Sequence, residues 1–242
     1  MPTTAFLLCT DLDGTVLGDP EGEAAFRAWA ERQAGKVTLA YITGRSIESV
    51  RALIGEGRLP DAQFAATDVG TAIWDLRDPA NRLGRHYRDL ADPAWPAERF
   101  RTLGHAPDTQ LQGPDGQGRF KASFYWDGRD ESLEAFKQRL RVERDWRLLA
   151  TAGQYLDVLP HCFSKGQALR FLAAASGIGL KRTITAGDME HDLDMFEAAG
   201  HGVAPVNALA AVKAALKDGP AYLAQAREAL GVLEGLGRLG LD

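Results

Sequence analysis

The sequence predicts an α/β fold in which a parallel-sheet core is interrupted by an inserted α+β unit. Three observations carry the prediction. Short uncharged apolar runs alternate with amphipathic stretches along the first third of the chain, as βαβ units do. From about Asp75 the texture becomes polar and proline-broken, then turns to strands and helices without strict alternation. Near residue 160 the alternation resumes. A length of 242 residues suits one large α/β domain or two unequal ones.

Phe6-Leu7-Leu8-Cys9 has the length of a buried strand, and it runs into Asp11-Leu12-Asp13-Gly14-Thr15. Residues 21–34 place Ala24, Ala25, Ala28 and Trp29 at helical spacing, with Gly35 as the stop. Residues 37–42 form a second β-branched strand ending in Thr43-Gly44-Arg45-Ser46, and a helix follows over 47–54. Residues 64–67 and 71–74 read as strands around a tight loop at 68–70. Between 75 and 115, Pro79, Pro93, Pro96, Pro107 and Pro114 break any regular element. Residues 119–126 alternate, with Phe120, Ala122, Phe124 and Trp126 on one face and Arg119, Lys121, Ser123 and Tyr125 on the other. A helix over 131–142, with Arg139 on its solvated side, and strands at 146–149 and 155–159 complete this unit. We read residues 79–159 as a cap inserted into a core made of 1–78 and 160–242.

The core resumes at Ser164-Lys165-Gly166-Gln167, a capping box ahead of the apolar helix 168–175. A strand at 182–186 ends in Gly187-Asp188, and a helix containing Asp192 runs to about Ala199. A short strand at 202–205, a helix at 209–216 and a glycine-interrupted helical tail from Ala221 close the chain.

Composition narrows the function. The chain is 45% hydrophobic and 25% charged, the profile of an ordinary soluble globular protein. A net charge of −5 with no basic run argues against a nucleic-acid or anionic-membrane partner. No apolar stretch reaches membrane-spanning length, and residues 1–4 lack the start of a signal peptide, so a cytoplasmic protein is expected. Cys9 and Cys162 are too few for a disulfide framework or a metal site.

Each polar strand end has a plain explanation on its own. Asp13-Gly14 and Thr43-Gly44 suit turns, Asp188 suits a helix N-cap, and Lys165 suits a solvated surface. Lys165 is nonetheless an odd cation at a helix start, where the dipole disfavours positive charge. Taken together, Asp11, Asp13, Thr43, Lys165, Asp188 and Asp192 would gather at the carboxyl edge of one sheet, where open α/β folds bind ligands. Several acids beside one lysine and a hydroxyl suit phosphate-ester chemistry. Like charges about 4 Å apart at an effective dielectric of about 20 repel by about 4 kcal/mol, so a carboxylate nucleophile needs a counter-ion near the phosphate. Mg²⁺ suits one or two carboxylates plus substrate oxygens. Asp11 would attack phosphorus, Asp13 would protonate the leaving alcohol and later deprotonate water, and Thr43 and Lys165 would hold phosphoryl oxygens.

Asp11-Leu12-Asp13-Gly14-Thr15 resembles the first motif, DxDGT, of the haloacid-dehalogenase-like hydrolases. Thr43-Gly44-Arg45, Lys165 and Gly187-Asp188 with Asp192 are similar to its second, third and fourth motifs, in order. The resemblance implies a Rossmann-like core with a C2-type cap, because only 30 positions separate Asp13 from Thr43 but 122 separate Thr43 from Lys165. It implies Asp11 as nucleophile and Asp13 as acid/base, with Thr43, Gly44 and Lys165 on the phosphate. It further implies an Mg²⁺ site drawn from Asp11, Asp13 (through its carbonyl) and Asp188, supported by Asp192. The fourth motif departs from the usual GDSxND, with Met189 and His191 at the Ser and Asn positions, which leaves His191 as either an added acid/base or loop scaffolding.

Within that class, the stretches 41–46, 66–71, 120–124 and 157–160 resemble the sucrose-phosphate phosphatase branch. The expected partner is therefore a small sugar phosphate, most simply a disaccharide phosphate such as sucrose 6-phosphate, with Arg45, Lys121, Ser123 and Asp157 around the sugar. The alternatives are a phosphatase for mannosylglycerate phosphate, trehalose phosphate or a hexose phosphate, a phosphomutase, and a non-catalytic carbohydrate-binding protein. The last should have lost one of Asp11, Asp13, Lys165 or Asp188, and none is lost. Oligomeric state is left open.

Overall fold

Two sheets carry the fold in the computed structural model, which describes residues 6–140 and 146–242. The signal-peptide reading at residues 1–4 and the end of the helix expected to reach 142 lie outside the described residues. In chain order, β1 (Phe6–Thr10), α1 (Pro20–Arg32), β2 (Val37–Ile42), α2 (Ile47–Gly55), β3 (Phe64–Thr67) and β4 (Ala72–Asp75) come first. Then follow α3 (Arg82–Arg88), α4 (Ala97–Gly104), β5 (Thr109–Leu111), β6 (Ala122–Trp126), α5 (Asp130–Leu140), β7 (Trp146–Thr151) and β8 (Tyr155–Pro160). The chain ends with α6 (Lys165–Ser176), β9 (Thr183–Ala186), α7 (Leu193–Ala198), β10 (His201–Ala204), α8 (Ala210–Leu216), β11 (Ala221–Leu223) and α9 (Glu228–Arg238).

The larger sheet runs β11-β10-β9-β1-β2-β3-β4 and is parallel except at β3–β4. Its central strands are uncharged and mostly apolar because both faces are covered. Leu8, Leu39 and Tyr41 meet Phe26, Trp29, Val232 and Leu236 of α1 and α9 on one face. Leu7, Cys9, Ala40 and Ile42 meet Phe163, Leu169 and Leu172 on the other. Asp19 caps α1 by accepting the Gly22 N–H at 2.8 Å, and Pro20 fills its first turn. The register pairs Thr10 with both Tyr41 and Ala186, so β1, β2 and β9 end level. Asp11, Thr43 and Asp188 therefore leave the sheet at one edge.

The antiparallel β4 departs from the expected parallel order. Only four residues, 68–71, link it to β3, and a parallel neighbour needs a crossover of about a dozen residues. The helical tail expected from Ala221 likewise begins as β11, a three-residue edge strand too short to show a period of two.

The second sheet runs β5-β6-β8-β7 and is antiparallel throughout. Phe100 of α4 and Phe136 and Leu140 of α5 pack on its Phe124, Leu156 and Val158. The polar stretch read as irregular holds α3 and α4, because its prolines fall between the helices or at a helix start, as Pro96 does at the N-cap of α4. The Tyr87 hydroxyl of α3 donates to the Gly70 carbonyl at 2.8 Å, and its ring packs against Phe163 and Phe171, so this helix joins the core of the larger sheet. Arg139 is a correction to the solvated position expected for it. Its guanidinium lies over the Phe136 ring and bonds Asp108 and Thr109, which ties α5 to β5.

Candidate active site

Lys165 is the first residue of α6 and is fully buried. The Ser164 hydroxyl caps the helix by accepting the Gln167 N–H at 3.1 Å. A cation there survives burial only because it is paired twice. Its Nζ lies 2.8 Å from Asp11 Oδ1 and 2.6 Å from Asp192 Oδ1. Burial alone would push the lysine pKa down, and the two carboxylates reverse this and raise it. Burial is the largest influence on Asp192 as well, and Lys165 overcomes it to hold that carboxyl below its usual range.

Lys165 does not balance the whole cluster. Asp11 is raised well above the usual carboxylate range, by burial first, with Lys165 opposing and Asp192 and Asp188 adding repulsion. Asp188 is pushed up to about 7 by burial and by Asp192, although the Thr15 hydroxyl donates to its Oδ1 at 2.9 Å. Three buried carboxylates facing one lysine leave an excess negative charge made of hard oxygen donors, and such a set fits a divalent cation of the Mg²⁺ kind.

The loops around this cluster are shaped for it. Gly14 has φ +72°, and a Cβ there would lie 2.4 Å from Asp188 Oδ2. Asn207 donates to the Gly14 carbonyl at 2.7 Å and so ties the first acidic loop to the loop after β10. Asp192 Oδ2 accepts the Asp188 and Met189 N–H groups at 3.0 Å each, and its Oδ1 takes Lys165. Both oxygens of Asp192 are thus engaged by protein, which makes it the residue that shapes the Asp188 loop. The Asp11, His191 and Asp192 donor atoms also lie within 4.8 Å of one another. Lys165 already occupies the Asp11–Asp192 side, however, so the side of Asp11 facing Asp188 suits a cation better. His191 is mostly buried where it lines the cavity, and its pKa is pushed down to about 4, mainly by desolvation and then by Lys165, so its imidazole is neutral near pH 7.

Asp13 is unlike its neighbours. It is half exposed, and its two oxygens take the Arg45 guanidinium at 2.6 and 2.7 Å. Thr43 is fully buried and its hydroxyl accepts the Arg45 N–H at 3.2 Å.

A cavity of about 280 Å³ opens over Asp11 and Asp13. Gly44 and Arg45 line it from the larger sheet, and Lys121, Asp157, Thr151, Tyr155 and Gln112 from the smaller one. Depressions of about 550 and 610 Å³ lie elsewhere, so charge rather than size marks this one. Lys121 Nζ donates to the Gly44 carbonyl at 3.1 Å and lies 4.0 Å from Asp68. Ser123 donates to Asp157 across the β6–β8 pair. The β6 polar face is buried at Lys121 and Ser123 for this reason. Glu190 accepts the Ala152 N–H of the β7–β8 hairpin at 3.1 Å, a second link across the cavity. Asp68 and Val69, beside it, hold positive φ values of 55° and 60°. A β-branched residue there is a genuine outlier, and such strain gathers at functional sites.

The expected residues are thus brought together, with Asp11, Lys165, Asp188 and Asp192 as a buried cluster and Asp13, Arg45, Lys121 and Asp157 around the opening. Gln112, Thr151 and Tyr155 were not anticipated. Thr151 Oγ1 is buried without a hydrogen-bond partner, a state that only the folded hairpin creates.

Residues 4–240 match the family model for sucrose-6F-phosphate phosphohydrolase. The chain belongs to that family. It is similar to the mannosylfructose-phosphate phosphatase of Agrobacterium fabrum, at 30% identity over 98% of this chain and 97% of that one. It is 28% identical to sucrose-phosphatase 1 of Nicotiana tabacum over 97% of its own length and 59% of that longer protein. In fold it resembles the sucrose-phosphatase of Synechocystis sp. PCC6803, solved with sucrose and phosphate, with a TM-score of 0.86 and 24% identity over 98% of both chains. It also resembles a HAD subclass IIB sugar phosphatase, with a TM-score of 0.72 and 14% identity over 98% of this chain. This family member is a phosphoric monoester hydrolase of the haloacid-dehalogenase-like type, a sugar-phosphate phosphatase. Among the described residues no helix is long and apolar enough to cross a membrane.

Proposed function

We propose that this phosphatase hydrolyses a phosphorylated glycosylfructose, with sucrose 6-phosphate or mannosylfructose phosphate as substrate, through an aspartyl-phosphate on Asp11 and with Mg²⁺. The observation that carries the proposal is buried Lys165, locked between Asp11 and Asp192, with Asp11 opening into a cavity that Lys121 and Asp157 line from the smaller sheet. The two substrates are both phosphorylated disaccharides that contain fructose and differ in the second sugar. That shared unit makes mannosylfructose phosphate, named in the relative similar over nearly the whole chain, a specific second reading.

Asp11 attacks phosphorus, and Lys165 and Thr43 hold the phosphoryl oxygens as charge redistributes. Asp13 gives its proton to the sugar oxygen as the P–O bond breaks. Water then attacks the aspartyl-phosphate, and Asp13 takes up the proton. Asp11, Asp188 and the Asp13 carbonyl would hold Mg²⁺, which when bound would supply the charge neutralisation that lets phosphate approach a carboxylate. Asp192 orients the Asp188 loop rather than ligating directly. Within the expected 79–159 cap, α3 packs on the larger sheet, and the unit built on the β5-β6-β8-β7 sheet acts as the specificity cap, with Lys121, Ser123 and Asp157 around the sugar.

Phosphate release across sucrose 6-phosphate, mannosylfructose phosphate, trehalose 6-phosphate and fructose 6-phosphate tests the substrate class. One glycosylfructose phosphate should exceed fructose 6-phosphate in kcat/KM by about 100-fold or more, because an absent sugar leaves built hydrogen-bonding groups unpaired. Equal turnover of the hexose phosphate would overturn this reading. Lys121→Ala should raise KM for the preferred substrate about tenfold or more, with a smaller change in kcat. Lys137→Ala, at an exposed position on α5 beside Glu134, should change neither. Matching effects of the two substitutions would count against the cap assignment.

Divalent-cation binding should also depend on pH. Asp188 at about 7 binds a proton in the folded state that the unfolded chain, near 3.8, has released. Stability without cation therefore falls as pH rises from about 4 to about 7. Mg²⁺ replaces that proton, so its increment in Tm should be larger at pH 8 than at pH 5. An equal or larger increment at pH 5 would contradict the assignment of Asp188.

A further inference from the structure

Arg45 sits on the loop from β2 to α2, and its side chain engages three oxygens of the protein. Nε lies 2.7 Å from Asp13 Oδ2 and Nη2 lies 2.6 Å from Asp13 Oδ1. Nη1 lies 2.9 Å from Ser49 Oγ, within the first turn of α2. All three guanidinium nitrogens are therefore committed inside the protein. That arrangement suits a brace better than a ligand for a sugar, which needs its donors turned to the substrate. The Asp13 carboxylate is half exposed, and Arg45 is its only hydrogen-bond partner among the described residues. Asp11, by contrast, is buried and held by Lys165. Without the fork of Arg45, nothing described would fix the direction of the Asp13 side chain.

We propose that Arg45 is a positioning residue that aims the Asp13 carboxylate at the leaving-group oxygen. The proposal rests on the acid/base role given to Asp13 above. A two-point guanidinium clamp fixes both the distance and the plane of a carboxylate, which a single point charge does not. In the protonated form one Asp13 oxygen keeps its guanidinium N–H while the other gives its own up, carries the proton and passes it to the departing sugar oxygen as the P–O bond breaks. During hydrolysis that same oxygen takes a proton from water as the new P–O bond forms and the bond to Asp11 breaks. Ser49 anchors the clamp to α2, whose N-cap Ser46 accepts the Ser49 N–H at 3.3 Å. The brace is therefore built on a helix.

The test is a double-mutant cycle of Arg45→Met and Asp13→Asn, with Arg45→Lys as the conservative variant. It reads single-turnover release of the sugar from the preferred glycosylfructose phosphate and of nitrophenol from p-nitrophenyl phosphate. Arg45→Met should slow sugar release about 10- to 100-fold while KM moves less than about threefold. The loss on p-nitrophenyl phosphate should be smaller, because nitrophenolate leaves without a proton. In the Asp13→Asn background Arg45→Met should change the rate less than about twofold, since a residue that acts through Asp13 has nothing left to act on. Arg45→Lys should recover only part of the loss. Two results would overturn the inference. A raised KM with unchanged kcat in both backgrounds would make Arg45 a sugar ligand, and equal losses in both backgrounds with a lowered Tm would make it structural. Asp13→Asn at wild-type turnover would instead overturn the acid/base reading, an outcome separable from the other two.

Discussion

Asp11→Asn is expected to lower phosphate release on the order of 10⁴-fold or more while the protein stays folded. An amide does not attack phosphorus, and no other carboxylate replaces Asp11 in its place at the floor of the cavity, against Lys165. The substitution keeps the size of the side chain, and Lys165 retains Asp192 at 2.6 Å, so the buried cation remains paired. It also removes a carboxyl that is raised by burial and by repulsion from Asp192 and Asp188. Tm without divalent cation should therefore hold or rise. Phosphate release and a thermal scan on the same preparation check both halves. An Asn variant with wild-type turnover would remove Asp11 from the reaction.

The second large effect is expected from Lys165→Met, which should abolish turnover and also weaken the fold. It leaves Asp11, Asp192 and Asp188 buried with no paired cation among the described residues. Removing one partner of a buried ion pair costs about 3–5 kcal/mol, or roughly 10 °C in Tm for a chain of this size. The sign with pH follows from the carboxylates. Lys165 is charged in both folded and unfolded states between pH 5 and 8, so its own contribution is level there. The stranded carboxyls take up protons in the folded state, so the deficit should narrow as pH falls from 8 to 5. Thermal scans of parent and variant at both values, without divalent cation, check this. A variant as stable as the parent at pH 8 would mean that Lys165 does not neutralise the cluster.

Much of this site is legible in the sequence because each main group follows a short uncharged strand or opens a capped helix. Asp11 follows β1, Thr43 follows β2 and Asp188 follows β9, and level strand ends bring them to one edge. Lys165 is marked by Ser164 and by the unfavourable dipole at its position. What escaped reading depends on neighbours distant in the chain. Thr15 bonds Asp188 across 173 positions and Asn207 bonds Gly14 across 193, and neither pairing leaves a local pattern. Thr151 and Tyr155 face the cavity only because β7 and β8 form a hairpin over it. Arg45 could be placed at a strand end, but its aim at Asp13 depends on Ser49 in the first turn of α2. The helices α3 and α4 were hidden by prolines that mark their boundaries instead of breaking them. His191 lines the cavity with a mostly buried imidazole that is neutral near pH 7, a form that suits loop scaffolding and an added base alike.

The most direct test of the account is rapid acid quench of the enzyme during turnover of a ³²P-labelled glycosylfructose phosphate, followed by peptide mapping. The account predicts a transient, hydroxylamine-sensitive phosphoryl group on the peptide that carries Asp11, absent in Asp11→Asn. Turnover at full rate with no covalent label, or label on another residue, would contradict it.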